Sequence, residues 1–307
     1  MDGFINLNKP LGYTSHDALA VLRKTLGFRK IGHSGTLDPG ADGVLPVCLG
    51  KATRLADYIA ICGKKYRAEV VFGITTDSYD ADGQVLSSMP CPQLTREQVA
   101  AALPQFVGLI QQVPPMVSAL KKNGQPLYLL ARQGITVERA PRAVSIDSIE
   151  ILRFEPGENP SVIIDVACGK GTYIRSLAHD LGVVLGMGAS LRSLTRLKVG
   201  EFELADSYTL EEIALMKGNN DRSFLLSMNF GLSHIPVIHA PQELLGRLLC
   251  GNSVQEEALV QEDWPVVRVL APEGKLLGIG HTSNQTLFMD KVLVDNKTDK
   301  ESEMITE

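Results

Sequence analysis

The sequence has no run of eighteen apolar residues, and MDGFINLNKP at its start lacks the basic segment and apolar run of a secretory leader. No membrane-spanning helix and no membrane partner are expected, and the chain reads as cytoplasmic. Cysteine is sparse: Cys48, Cys62, Cys91, Cys168 and Cys250 are odd in number, widely spaced and free of any Cys-x-x-Cys pair. They read as small buried thiols. The six histidines form no HExxH pair and have no cysteine at zinc spacing, so no catalytic metal is expected. Gly43 through Gly50-Lys51 is not a phosphate loop, because six residues separate the glycines and Ala52 replaces the magnesium-binding hydroxyl. Asp80-Ala81-Asp82-Gly83 is a turn rather than a calcium loop, since Met89 stands where the closing Glu is needed. Repeats and low-complexity tracts are also missing.

What remains is a chain of 307 residues, 44 % apolar and 21 % charged, enough for one large domain and a small one. The net charge of −5 is unevenly placed. Residues 1–76, 116–142 and 164–200 hold 20 Lys and Arg against 9 Asp and Glu, a net +11 that leaves −16 for the rest. That contrast fits a basic face on an acidic body, by which a mildly acidic protein can hold a polyanion.

Residues 4–8 read as a short strand, and Ser15 as the N-cap of a helix whose Ala18, Leu19, Leu22 and Leu26 recur at helical spacing until Gly27. The stretches 66–73, 144–154 and 161–167 are strand-like. Thr95 with Gln98 forms a capping box for a helix to about Phe106, and another helix is expected from Tyr173 to Leu185. There is no regular βαβ cadence, so the fold class is α+β, with a sheet that is not doubly wound. The pattern shifts near 230–240, after which 266–270, 276–280 and 291–294 read as strands of a small β domain. The expected division is 1–232 for the large domain, 233–294 for the small one, and a disordered acidic tail at 295–307.

The most informative stretch is 32–54, GHSGTLDPGADGVLPVCLGKATR, which packs His33, Asp38, Asp42, Lys51 and Arg54 around five glycines and two prolines. So many backbone breakers predict a structured loop. Within it Asp38-Pro39-Gly40 fixes a tight turn and holds one carboxylate in a defined place, with His33 and Thr36 close by.

Gly32-His33-Ser34-Gly35-Thr36-Leu37-Asp38-Pro39 resembles the catalytic motif of the tRNA pseudouridine-55 synthase (TruB) family. Flanking blocks agree in order: Asn8-Lys9-Pro10 with Gly12; Lys65-Tyr66-Arg67, then Thr76-Asp77 and Asp80; Pro114 and Pro115, then Ser118-Ala119-Leu120-Lys121; Gly169 to Arg175; and Leu191 to Leu197. The resemblance covers about residues 4–200. Asp42 departs from it, because the family more often has a small hydroxyl residue there, and it adds negative charge near the expected RNA path.

The resemblance implies a pseudouridine synthase fold, with a mixed, largely antiparallel sheet flanked by helices and loops, and a PUA-like RNA-binding module in the small C-terminal β domain. It also implies isomerisation of uridine 55 in the T-loop of tRNA, with base flipping and no cofactor. Asp38 is then the catalytic carboxylate, as nucleophile or as base. Arg175 is the arginine that pairs with it, and Tyr66 stacks on the target base. Tyr173 and Leu194 wall the pocket, and His33 helps fill the space the base leaves. Lys9, Lys51, Arg54, Lys64, Lys65 and Lys121 are candidate phosphate contacts as a group. The expected partner is the T-arm stem-loop of tRNA, met by a monomer with no obligatory protein partner. Two rivals are an RNA-guided synthase and a non-catalytic tRNA-folding factor; folding activity can also accompany catalysis. Intact Asp38, Tyr66 and Arg175 favour the enzyme.

Overall fold

In a computed structural model of the chain, the described residues are 1–118, 120–122, 124–256 and 259–294, without the side chains of Lys121, Lys122 and Arg132. The tail expected from Asp295, and any phosphate contact by Lys121, lie outside them.

Nine strands build the larger sheet: β1 (Gly3–Lys9), β2 (Ile31–His33), β3 (Ala41–Leu49), β4 (Lys64–Phe72), β5 (Gly108–Gln112), β6 (Arg142–Glu155), β7 (Ser161–Cys168), β8 (Ala189–Val199) and β9 (Phe202–Glu203). Their order is β1-β3-β8-β4-β7-β6-β5, with β2 beside β3 and β9 beside β8. All these pairs are antiparallel except β3 with β8, where Leu194, Thr195 and Arg196 run parallel to Ala41, Asp42 and Gly43. The sheet is therefore mixed and largely antiparallel, as expected.

Strand alternation explains why the first strands are covered on both faces. Ile5, Leu7, Leu45, Val47 and Leu49 meet Ala18, Leu19, Leu22 and Leu26 of helix α1 (Ser15–Leu26). On the opposite face Phe4, Val44 and Cys48 pack with Leu270, Leu276 and Ile279 of a second, smaller sheet. That sheet comprises β10 (Val237–His239), β11 (Val254–Gln255), β12 (Val267–Leu270), β13 (Leu276–Ser283) and β14 (Thr286–Val292), in the order β10-β12-β13-β14-β11. It is the expected small C-terminal β domain. A third core lies between β4, β6 and β7 and helix α2 (Ile174–Val184), with Val166, Leu177 and Leu181 fully buried. No helix among the described residues is long and apolar enough to cross a membrane.

Two local expectations are corrected. Thr14, not Ser15, caps α1: its hydroxyl accepts from Asp17 N–H, and its own N–H donates to Asp17 Oδ2, a complete capping box. Ser15 is buried one residue further in, where its hydroxyl is free to grip another segment. The stretch 32–54 is a loop only at 34–40, and its second half is the inner strand β3. The breakers there are accommodated individually. Pro46 falls between the part of β3 that pairs with β8 and the part that pairs with β2, where the ladder is interrupted. Gly43 has φ +99, and a Cβ on it would lie 2.3 Å from the carbonyl oxygen of Arg196.

This crossing makes a stability prediction. Gly43→Ala should cost roughly 2 kcal/mol or more, because both the backbone conformation and the close approach oppose a side chain. Gly157→Ala, where a Cβ meets nothing within 4 Å, should change stability by no more than about 0.5 kcal/mol. Urea unfolding of both variants checks this, and equal losses would remove the role given to Gly43.

Candidate active site

The 34–40 loop is held from both sides before any ligand arrives. Ser15 Oγ accepts the Leu37 N–H at 2.9 Å and donates to the Leu37 carbonyl at 3.1 Å. Leu37 itself is buried in the core beside α2, and Gly12 N–H reaches the Pro39 carbonyl at 2.9 Å. Ala41 N–H closes the turn onto the Asp38 carbonyl at 3.1 Å. The carboxylate of Asp38 is thus presented by a backbone fixed at the residues on each side.

Its partner comes from the first turn of α2. Arg175 is only 5 % exposed, and its Nη2 pairs with Asp38 Oδ2 at 2.8 Å while Nη1 pairs with Asp80 Oδ2 at 3.3 Å. The same guanidinium donates to the carbonyls of Val117 and Ser78. The buried guanidinium bridges two carboxylates, of which Asp80 is largely covered and Asp38 is half exposed towards the cavity, and such charge-assisted bonds define geometry well. The start of α2 is fixed by Gln112, which is buried. Its amide oxygen accepts Tyr173 N–H at 2.8 Å, and its amide nitrogen donates to the Tyr173 carbonyl at 3.0 Å.

Asp38, Tyr66, Tyr173, Arg175 and Leu194 line one cavity of about 180 Å³, together with Thr36, Leu37, Ser118, Thr172 and Ile174. Five segments distant in sequence therefore converge: the loop, β4, the stretch that ends at Ser118, the start of α2, and β8. Tyr66 is 8 % exposed. Burial pushes its phenol above the ordinary 10.0, and the positive charge of Arg196 with a hydrogen bond from it act in the opposite direction. Burial also pushes the Tyr173 phenol up, against a hydrogen bond from Ser118.

His33 stands outside this set of lining residues. Its Nδ1 accepts Gly35 N–H at 3.2 Å, and its ring meets His16 edge to face, 5.7 Å between centroids. Burial, then the charges of His16 and Arg196, hold it below the ordinary 6.5. At neutral pH the ring is neutral, with its proton on Nε2.

The six candidate phosphate contacts do not form one group. Lys9 is fully buried, and its ammonium donates to the carbonyls of Pro10 and Tyr13 at 2.8 and 2.7 Å. Lys64 is half-buried and donates to the carbonyls of Ala60 and Cys62. Neither presents its charge to a phosphate, and both are better described as structural clamps. The motif pattern could not reveal this, because lysines are ordinarily solvated. Lys65 is shared with Asp165 at 3.2 Å, Lys51 is half-buried, and Arg54 is exposed with Nη1 on the Val292 carbonyl at 2.6 Å. Asp42 has a structural part as well: one of its oxygens is buried, and its charge offsets the cost of burying Lys9.

Sequence reasoning missed Asp80, Gln112 and Arg196 as residues of the site. Asp80 stood in a quoted block and was read only as part of a turn. Arg196 was hidden because β8 has register shifts against β4 between Leu191 and Ser193 and between Arg196 and Lys198. Those bulges break simple alternation and send a charged residue inward.

Comparison with known proteins follows from this geometry. A family model described as TruB family pseudouridylate synthase (N terminal domain) matches residues 23–174, and one described as tRNA pseudouridylate synthase B C-terminal domain matches 175–232. Proteins named tRNA pseudouridine synthase B are similar to this chain. That of Symbiobacterium thermophilum is 51 % identical over 82 % of this chain and 82 % of its own length. That of Moorella thermoacetica is 44 % identical over 92 % and 95 %, and that of Dechloromonas aromatica 45 % over 96 % and 96 %. Among solved structures, a chain of a Cbf5-Nop10-Gar1 complex has a TM-score of 0.73 at 26 % identity, covering 95 % of this chain and 85 % of that one. A chain of an H/ACA RNP bound to a substrate RNA containing 2′-deoxyuridine has a TM-score of 0.74 at 24 % identity, covering 96 % and 86 %.

The buried Lys9 yields a pH prediction. Burial lowers it from 10.5 to about 8 in the folded chain, with Asp42 opposing. Between those values the unfolded chain carries a proton that the folded chain has released, so stability rises with pH across that window. The cost of the buried charge is fully present below about 8 and is relieved above it. Lys9→Met lacks this effect, so the stability of the parent relative to Lys9→Met should climb from about pH 8 towards about pH 10. Urea unfolding at several pH values measures it, and parallel curves for the two proteins would contradict the assignment.

Proposed function

This chain belongs to the TruB family of pseudouridylate synthases, and from that premise we propose that it converts uridine 55 in the T-loop of tRNA to pseudouridine with Asp38 as the catalytic carboxylate. The observation that carries this reading is the ion pair of Asp38 with buried Arg175 at the wall of the cavity.

The reaction breaks the N1–C1′ bond of uridine, turns the uracil and forms a C5–C1′ bond. The proton on C5 is lost and one is gained at N1, so atoms and electrons balance with no external reactant. Two chemistries are open to a carboxylate placed here, attack on C1′ and removal of a sugar proton. Each requires an aimed carboxylate, and Arg175 aims Asp38 through the 2.8 Å ion pair. Tyr66 offers a ring face to the base and a hydroxyl for proton handling, while Tyr173 and Leu194 restrict where the detached uracil can turn.

The cavity of about 180 Å³ is below the usual ligand-pocket range of roughly 300–1,000 Å³. It suits a single extruded base. A base inside a folded loop must leave its stack before Asp38 can reach it, and a loop base costs less to extrude than a paired one. We read His33, neutral and at the start of the loop that carries Asp38, as the residue that helps fill the space left behind. The remaining exposed cations, Lys65 and Arg54 among them, are read as contacts to the RNA backbone.

We read residues 1–232 as the catalytic domain and 233–294 as a PUA-like module that contributes RNA contacts. The chain is read as a monomer, acting in the cytoplasm without an obligatory protein partner.

The test is pseudouridine formation on tRNA, on the isolated T-arm hairpin and on a scrambled-stem control at equal concentration. The hairpin should react at position 55 and the control poorly, because the folded loop presents the base. Asp38→Asn should lower turnover by about 10⁴-fold or more while RNA affinity stays within several-fold. Near-normal turnover by that variant would remove Asp38 from its role, and equal rates on hairpin and control would defeat recognition by shape.

A further inference from the structure

We infer that Arg196 is a positioning residue for the reaction, fixing from behind the cavity the loop that carries Asp38, next to Tyr66 on the adjoining strand. This rests on the reading of Asp38 and Tyr66 given above. Arg196 is 2 % exposed and is among the largest fully buried side chains of the described residues. Among those residues no carboxylate pairs with it. A buried cation without a counter-ion is strongly unfavourable unless its hydrogen bonds are satisfied, and an apolar side chain would hold a strand in place more cheaply. Its retention is explained by what it touches.

Those contacts converge on the site. Nε donates to the Val44 carbonyl at 2.7 Å, Nη1 to the Thr36 carbonyl at 3.3 Å, and Nη2 to the Gly35 carbonyl at 3.3 Å. Gly35 and Thr36 lead directly into Leu37 and Asp38, and Thr36 itself lines the cavity. In the sheet register Arg196 stands directly opposite Tyr66 on the adjacent strand. One planar fork thus ties β3 to the loop that carries Asp38, a set of three carbonyl partners that the single ammonium of a lysine cannot reproduce in the same geometry. Arg196 touches neither Asp38 nor Arg175, so it sits outside the ion pair and acts through its neighbours. Its charge also counters the effect of burial on the Tyr66 phenol.

Arg196→Lys tests the inference, with single-turnover rate at saturating T-arm hairpin, hairpin affinity and thermal melting measured together. The expected result is a fall in rate of about 10²-fold, the scale of a catalytic group displaced by roughly an ångström, with affinity and melting temperature close to the parent. In Arg196→Ala, added guanidinium ion should restore part of the rate, and ammonium at equal ionic strength should not. The inference is overturned if Arg196→Lys turns over like the parent, or if its lost rate is matched by lost affinity or lost melting temperature, which would mark a role in packing alone. Failure of Arg196→Lys to fold counts in the same way. A parent chain inert on the hairpin would sink the functional reading and this inference with it, whereas an active parent with an indifferent Arg196→Lys sinks the inference alone.

Discussion

A buried guanidinium between two carboxylates is tolerable only if every partner is held in place, and the chain around Arg175 meets that condition from three directions. Asp38 is fixed by the turn that Ala41 closes and by the grip of Ser15 on Leu37. Asp80 is fixed by Thr76, whose hydroxyl donates to its carbonyl at 2.7 Å, and by the Ser78 hydroxyl on its carboxylate. Arg175 is fixed by the helix it opens, whose entry Gln112 locks. Loss of Arg175 would leave two neighbouring carboxylates without their counter-charge, so both depend on it. The orientation of the Asp38 carboxylate is therefore a property of the fold and does not wait for substrate.

The same economy of charge governs the rest of the molecule. Two lysines that add to the basic character of the sequence windows, Lys9 and Lys64, are directed onto backbone carbonyls. The exposed basic face is thinner than the count of Lys and Arg implies. Others serve the seam between the two sheets, where Arg54 donates to the Val292 carbonyl, Lys291 donates to the Arg54 carbonyl at 2.8 Å, and Lys291 lies over the ring of Tyr58. Reciprocal bonds of this kind, joined to the apolar contact of Phe4 and Val44 with Leu276 and Ile279, bind the small sheet to the strand that follows the catalytic loop.

Much of this was legible in the residues, and the reasons for the remainder are physical. Local signals place β1, β7 and α1 close to their true limits, and the Thr95–Gln98 capping box marks the start of a helix at Arg96 whose α-helical part ends at Ala102, with a 3-10 turn on to Phe106. The ordered motif blocks located Asp38, Tyr66, Tyr173, Arg175 and Leu194, which the structure brings to one cavity. Strand β3 escaped notice because Gly43 and Pro46 are penalised on average yet fit here, one at a close crossing and the other at a gap in pairing. Ser15 looked like a cap because the adjacent Thr14 performs that role with the same chemistry. Gln112 and Arg196 bear on the site only through partners distant in sequence, so no window of neighbouring residues could have marked them.

The parallel contact of β8 with β3 also sets a constraint in time. Gly35 and Arg196, joined by one hydrogen bond, are 161 residues apart in the chain. Contacts of such long range close late, after the entropy of a large loop has been overcome. During synthesis Asp38 is made early, and the strand that backs its loop and walls its cavity emerges much later. A nascent chain that ends before Ala189 carries Asp38, Tyr66 and Arg175 but lacks that wall, so the enzyme becomes competent only when most of its large domain has left the ribosome.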